Sequence, residues 1–324
     1  MKTQRALLLL LLTGLCIDGY KPVIIVHGIF DGPKELKTLS FFIKKVHPGT
    51  EVTVIDLYNY MQSLMPLWTQ VRGFSRAIES ITRQAPDGVH LLCFSQGGLI
   101  CRAFLSTTPD HKVHTFISLS SPQAGQYGDT EYLKRIFPNR LKESVFHLCY
   151  NKIGQKISIC DYWKDPHHTS SYLRSSSFLA MLDGDRSHKN LGVWRENFLR
   201  IKRLVLIGGP DDGVITPWQS SHFGFYDNSE NVVEMRNQDF YRNDTFGLKT
   251  LDCSRGRVPV SSLWSQTCSL ALKLYSVPKL HGEMAHIKTD HTLSMHDTCF
   301  YPITRLFLKV SQSWNTNSGF IYVT

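Results

Sequence analysis

An apolar run, Val89-His90-Leu91-Leu92-Cys93-Phe94, ends on Ser95, and Gln96-Gly97-Gly98 follows at once. Val89 to Cys93 has the length and composition of a buried strand, and Gly97 to Ser106 reads as a helix. A strand that turns into a helix across a serine constrains the fold strongly. Small residues are needed at such a turn because it is sharp and the helix packs close to the strand, and the serine then stands exposed. Its hydroxyl is a weak nucleophile until a base takes its proton, and it needs N–H groups nearby to receive an oxyanion. The usual pattern is G-x-S-x-G. Here Cys93 occupies the first glycine position and Gly97 the last.

The flanking segments fit the same architecture. Pro22 to Val26 and Glu51 to Leu57 read as strands, Glu35 to Val46 and Leu64 to Arg83 as amphipathic helices, and His114 to Leu119 as a fourth strand. Alternating strands and helices predict an α/β protein with a mostly parallel central sheet. The alternation stops between about 125 and 197, where many aromatic and histidine residues suggest an inserted, mainly helical cap. It resumes with a strand at Ile201 to Ile207. The expected organisation is a signal peptide over 1–19, one α/β catalytic domain over 20–312 with the cap inside it, and a C-terminal tail over 313–324 expected to be disordered.

The first residues support that beginning. Lys2 and Arg5 precede Leu7 to Leu12, and Thr13, Gly14 and Cys16 follow, the order of a secretory signal. The apolar part is too short to span a bilayer comfortably, so the mature protein is not expected to be an integral membrane protein. Eight cysteines in a secreted chain favour disulfides, and Asn243-Asp244-Thr245 is a glycosylation sequon. The net charge of +9 is scattered without a basic run, which argues against nucleic acid as a partner.

A serine nucleophile needs partners. The loop after the first strand, His27-Gly28-Ile29, is expected to give the Ile29 N–H to an oxyanion hole shared with the Gln96 N–H. His27 itself is expected to shape the loop. The triad acid belongs on a loop after a late strand; Asp211 and Asp212 both occur there, in Gly208-Gly209-Pro210-Asp211-Asp212-Gly213. The base belongs later still, among His281, His286, His291 and His296. Their crowding could suggest a metal, but no recognisable ligand spacing surrounds them. Neither metal nor cofactor is expected.

Several of these segments resemble the palmitoyl-protein thioesterases. Tyr20-Lys21-Pro22-Val23-Ile24-Ile25-Val26-His27-Gly28-Ile29-Phe30-Asp31 is similar to their beginning. Gly88 to Gly98 is similar to their nucleophile segment, including the cysteine in place of glycine. Ser118 to Gly128 and Gly208 to Gln219 are similar to a lysosomal member of the family. The likeness covers about 20 to 252. It implies an α/β-hydrolase fold and cleavage of fatty acyl thioesters in the lysosome, with Ser95 as nucleophile and Asp212 as triad acid. It places the base at His286, counted back from Thr298-Cys299, with His291 of Asp290-His291 as the alternative. It supports the disulfides Cys93–Cys101 and Cys149–Cys160, and Cys299 would then pair with Cys268 rather than Cys253. Two other readings share the fold: a lipase or carboxylesterase acting on oxoesters, and a binding protein whose altered histidine loop forms no triad.

Overall fold

The computed structural model describes residues 20–129, 142–253 and 320–323. Its centre is a parallel sheet built from β1 (Val23–Val26), β2 (Val52–Val54), β3 (Val89–Phe94), β4 (Val113–Leu119), β5 (Arg203–Ile207) and β8 (Phe320–Val323), in the order β2-β1-β3-β4-β5-β8. A two-residue pair, β6 (Phe225–Tyr226) and β7 (Val232–Val233), stands apart. The inner strands are mostly apolar on both faces because both faces of a parallel sheet are covered. Ile24, Val26, Leu91, Cys93, Phe116, Leu204 and Leu206 pack on one face, and Val23, Ile25, Leu92, Phe94, Ile117, Val205 and Ile207 on the other.

Each helix buries the stripe its periodicity announces. In α1 (Lys37–Val46) Leu39 and Ile43 are buried, and Lys44 and Lys45 sit in the last turn, where they favour the helix dipole. In α2 (Leu67–Thr82) Leu67, Val71, Phe74 and Ile78 recur at three- and four-residue steps against the core. The helix after Ser95, α3 (Gln96–Thr107), is buried from Gln96 to Ser106. It lies inside the molecule because the insertion covers its outer side.

Within that insertion the described residues form α4 (Val145–Cys149), α5 (Ser158–Tyr162), α6 (Thr169–Ser175), α7 (Leu179–Leu182) and α8 (Leu191–Phe198), joined by short 3₁₀ turns. Many of its aromatic residues are core: Tyr127, Tyr162, Trp163 and Phe178 are buried in the same cluster as the sheet face carrying Cys93. Asp161 of α5 accepts the Leu67 N–H at 2.7 Å, capping α2 from a distant part of the chain. Arg102 of α3 pairs with Asp183 at 2.7 Å, both fully buried. Its guanidinium lies over the rings of both Phe223 and Phe246, at 5.2 and 5.0 Å. Beyond β7 the described chain adds α9 (Asp239–Arg242) and α10 (Leu248–Cys253).

Two elements differ from expectation. The second strand is three residues long rather than seven, because after Ile55 donates to the Ile25 carbonyl the chain leaves the sheet edge. The tail, expected to be disordered, supplies β8: Phe320-Ile321-Tyr322-Val323 is aromatic and β-branched, and it extends the sheet beside β5. The signal segment, the four candidate bases, Cys268 and Cys299 lie outside the described residues. No described helix is long and apolar enough to cross a membrane.

Candidate active site

The strand register puts the chemistry on one edge. Val26 pairs with Cys93, Cys93 with Ser118, Phe94 with Leu119, and Leu119 with Ile207. His27, Ser95, Ser120 and Gly208, each following its strand, therefore leave the sheet together at its carboxyl edge. Ligands gather at that edge in open α/β sheets.

Ser95 stands between β3 and α3 with φ 53° and ψ −127°. A side chain rarely adopts positive φ; the strain is held by the Ser95 N–H bond to the Leu119 carbonyl, 2.9 Å, and by the helix that starts at once. Close approach from β1 explains the glycine two positions on. A Cβ at Gly97 would lie 2.5 Å from the His27 carbonyl oxygen and 2.7 Å from that of Val26. The cysteine two positions before the serine is also accounted for. Cys93 is disulfide-bonded to Cys101 of α3, with both residues fully buried. The bond ties the end of β3 to the helix behind Ser95. Cys149 and Cys160 form the other disulfide among the described residues, while Cys253 carries an exposed thiol.

The loop after β1 touches the serine. A Cβ on Gly28 would fall 2.8 Å from Ser95 Cβ and 3.3 Å from Ser95 Oγ. Among the described residues, no group accepts the N–H of Ile29 or of Gln96. Both residues are nonetheless buried, and N–H groups left open beside a nucleophile are what an oxyanion hole requires. His27 is 2 % exposed, with Nδ1 2.8 Å from the Gly28 carbonyl and Nε2 2.8 Å from the Leu57 carbonyl. Both ring nitrogens face backbone oxygens, so this histidine shapes the loop.

Asp212 lies on the loop after β5. Its Oδ1 accepts the N–H groups of Val214 and Ile215 at 3.1 and 2.9 Å, while Asp211 is exposed. Gln126 and Tyr127 hold the far side of that loop. The Gln126 amide bonds the Val214 carbonyl and the Thr216 N–H, and the Tyr127 N–H bonds the Thr216 carbonyl. Nothing in the spacing of the sequence announced these contacts, because they join residues about ninety positions apart.

One charged group at this edge also escaped notice. Asp31 is 8 % exposed, and its Oδ2 lies 3.1 Å from where a Gly28 Cβ would be. Burial first, and then the nearby Glu35 carboxylate, push its pKa up to about 7, against a hydrogen bond from the Gly28 backbone. Among the described residues, no group of three or more His, Cys, Asp or Glu side chains is arranged to hold a metal.

Comparison with known proteins gives this site a family. The sequence model of palmitoyl protein thioesterase matches residues 22–263. "Lysosomal thioesterase PPT2" of Rattus norvegicus is 58 % identical over 240 residues, covering 74 % of this chain and 79 % of that protein. The protein of the same description from Mus musculus is 51 % identical over 284 residues, 88 % of each chain. "Lysosomal thioesterase PPT2 homolog" of Drosophila melanogaster is 40 % identical, covering 78 % of this chain and 88 % of its own. Among solved structures, the mature form of Bacillus licheniformis lipase BlEst2 aligns with 72 % of this chain and 90 % of its own, at 15 % identity and a TM-score of 0.38. The family match spans most of the chain, from the loop that touches Ser95 to beyond the loop that carries Asp212, and the chain belongs to the palmitoyl protein thioesterase family.

Proposed function

We propose that this protein hydrolyses fatty acyl thioesters by two-step acyl transfer through Ser95, in the lysosome, which it reaches by the secretory route. The observation that carries the reading is the placement of Ser95: a strained residue between β3 and α3, with the uncommitted N–H groups of Ile29 in the loop after β1 and of Gln96 at the start of α3. Family membership and relatives named lysosomal thioesterases support the substrate class and the compartment. The exposure of Asn243 fits glycosylation on that route.

In the first step Ser95 Oγ attacks the thioester carbonyl as a histidine takes its proton. Asp212 holds that histidine in the correct tautomer and stabilises its charged form. Its Oδ1 is fixed by two backbone N–H groups, which leaves Oδ2 for the imidazole. The Ile29 and Gln96 N–H groups receive the oxyanion, and the N-terminus of α3 adds a favourable dipole. The C–S bond breaks, and the thiol leaves with the proton that the histidine returns. Water, activated by the same histidine, then attacks the acyl-Ser95 ester and releases the fatty acid. His286 is the proposed base and His291 the alternative; Cys268–Cys299 is the proposed third disulfide.

The test uses the full chain, with palmitoyl-CoA as substrate and a fluorophosphonate as active-site label. Labelling of the wild type, its loss in Ser95→Ala, and abolished turnover in Asp212→Ala and His286→Ala but not His291→Ala are expected. Wild-type protein that takes no label, with turnover untouched by Ser95→Ala, would end the serine-hydrolase reading. Faster turnover of a matched oxoester than of palmitoyl-CoA would reassign the substrate, and the reverse histidine result would reassign the base.

A further inference from the structure

We infer that Ser63 is a positioning residue for the oxyanion hole, because its hydroxyl bonds the peptide beside one donor and its carbonyl bonds the side chain of the residue that carries the other. This rests on the proposed roles of Ile29 and Gln96. Ser63 lies in the 3₁₀ turn Tyr60–Leu64, between β2 and α2, a segment that holds none of the residues assigned above. It is fully buried.

Its hydroxyl accepts the N–H of Phe30 at 2.7 Å, the peptide immediately after Ile29. Phe30 has φ 58°, a conformation that a bulky residue keeps only when its surroundings over-determine it. The same hydroxyl donates to the Tyr60 carbonyl, so its rotor is fixed and its lone pairs point at Phe30. The Ser63 carbonyl accepts the side-chain amide of Gln96 at 2.9 Å and that of Gln70 at 2.7 Å. Gln96 Oε1 in turn receives the hydroxyl of Tyr162, 3.3 Å away, from α5. One buried residue thus bonds to the peptide beside the first donor and to the side chain of the residue that carries the second.

The consequence is geometric. Two N–H groups stabilise a developing oxyanion only if they converge on one point, and an error of about 1 Å in such a site lowers the rate about 100-fold. The donors belong to separate segments, Ile29 to the loop after β1 and Gln96 to the first position of α3. The close packing of Gly28 on Ser95 and of Gly97 on the His27 carbonyl sets how near they lie, and a directed hydrogen-bonded contact is needed to fix their orientation. Ser63 supplies that contact, and it acts through the transition state, because the ground-state carbonyl needs the donors less.

The experiment compares wild-type protein with Ser63→Ala, Ser63→Cys and Ser63→Thr on palmitoyl-CoA. It also measures their affinity for a palmityl trifluoromethyl ketone, which forms an oxyanionic adduct with a serine, and for palmitate, which does not. Ser63→Ala is expected to lower kcat about 10- to 100-fold with KM changed less than about twofold. Ketone affinity should fall in proportion to kcat, and palmitate affinity should hold. Ser63→Cys, a weaker acceptor of similar size, should lie between wild type and alanine, and Ser63→Thr should restore most of the rate. If Ser63→Ala does not fold, the cysteine variant reads the same quantities. Unchanged kcat in the folded variants, or a fall in kcat with ketone affinity untouched, overturns the inference. Failure of the wild type itself to take the fluorophosphonate or the ketone would count against the serine-hydrolase reading instead.

Discussion

At Ser95 the backbone does what the side chain alone could not. A positive φ turns the hydroxyl out of the sheet edge, and that turn fits because Gly28 and Gly97 let the end of β1 come close. Gly28 tests the point most directly. An alanine there would bring its Cβ within 2.8 Å of Ser95 Cβ and 3.3 Å of Oγ, so it would displace the nucleophile or the oxyanion loop. Gly28→Ala is therefore expected to lower kcat/KM by about 100-fold or more, while the melting temperature falls only by the few degrees of a modest overpacking strain. Kinetics beside a thermal melt would check it, and a variant with near-normal turnover would show that the loop is free to move. The serine and the paired aspartates were legible in the sequence because short, contiguous segments carry them. Ser63 and Gln126 were not, because their partners lie about 30 to 90 positions away. Four histidines close together gave no spacing that singles out one base, and only the resemblance ranked them.

The strands and long helices announced themselves through burial. β1, β3, β4 and β5 are rich in buried apolar residues, and α2 shows its stripe at every turn. Less legible were the short edge strand β2, whose last residues lose a neighbour, and β8, which needs a sheet partner far back in the chain. The Cys93–Cys101 disulfide belongs to this scale, since it joins β3 to α3 across the nucleophile. It closes a loop with a sequence separation of 8, and the chain-entropy relation assigns such a loop about 2.5 kcal/mol. The double variant Cys93→Ala, Cys101→Ala should lose at least about that much, read as a lower urea midpoint at unchanged slope. It should also lose turnover at temperatures where it is still folded, because the turn would be held by one strand hydrogen bond and the helix alone. Full activity in the folded double variant would show that the disulfide supports stability and not the elbow.

Across the whole molecule, burial of acids sets how stability responds to pH. Burial raises Asp161 to about 7 and Asp183 to about 6, the latter against the opposing pull of Arg102 and Lys164; with Asp31 at about 7, three carboxyls bind protons more tightly when folded than their ordinary value of 3.8. A carboxyl with a raised folded pKa makes the native state take up protons first. Its stabilising effect is fully present below 3.8 and is lost as pH rises through the folded value. Two buried histidines act in the other direction: desolvation holds His90 at about 3 and His111 at about 4. Each resists protonation in the native state, so each loses stability as pH falls below 6.5. Between pH 7 and pH 5 three groups gain and two lose, and the gains begin at the higher pH. The melting temperature is therefore expected to be higher at pH 5 than at pH 7, as suits the proposed acidic compartment, and to fall again toward pH 3, because Glu230 and Asp244, both held below their ordinary values, resist protonation in the fold. Asp161→Asn isolates one contributor. The amide oxygen can still accept the Leu67 N–H that caps α2, but the group no longer titrates. This variant should melt higher than wild type at pH 7, converge with it near pH 4, and show a shallower slope between them. Thermal melts at half-unit pH steps decide it: parallel curves for the two proteins would mean that Asp161 stays ionised in the fold and that the acid preference arises elsewhere.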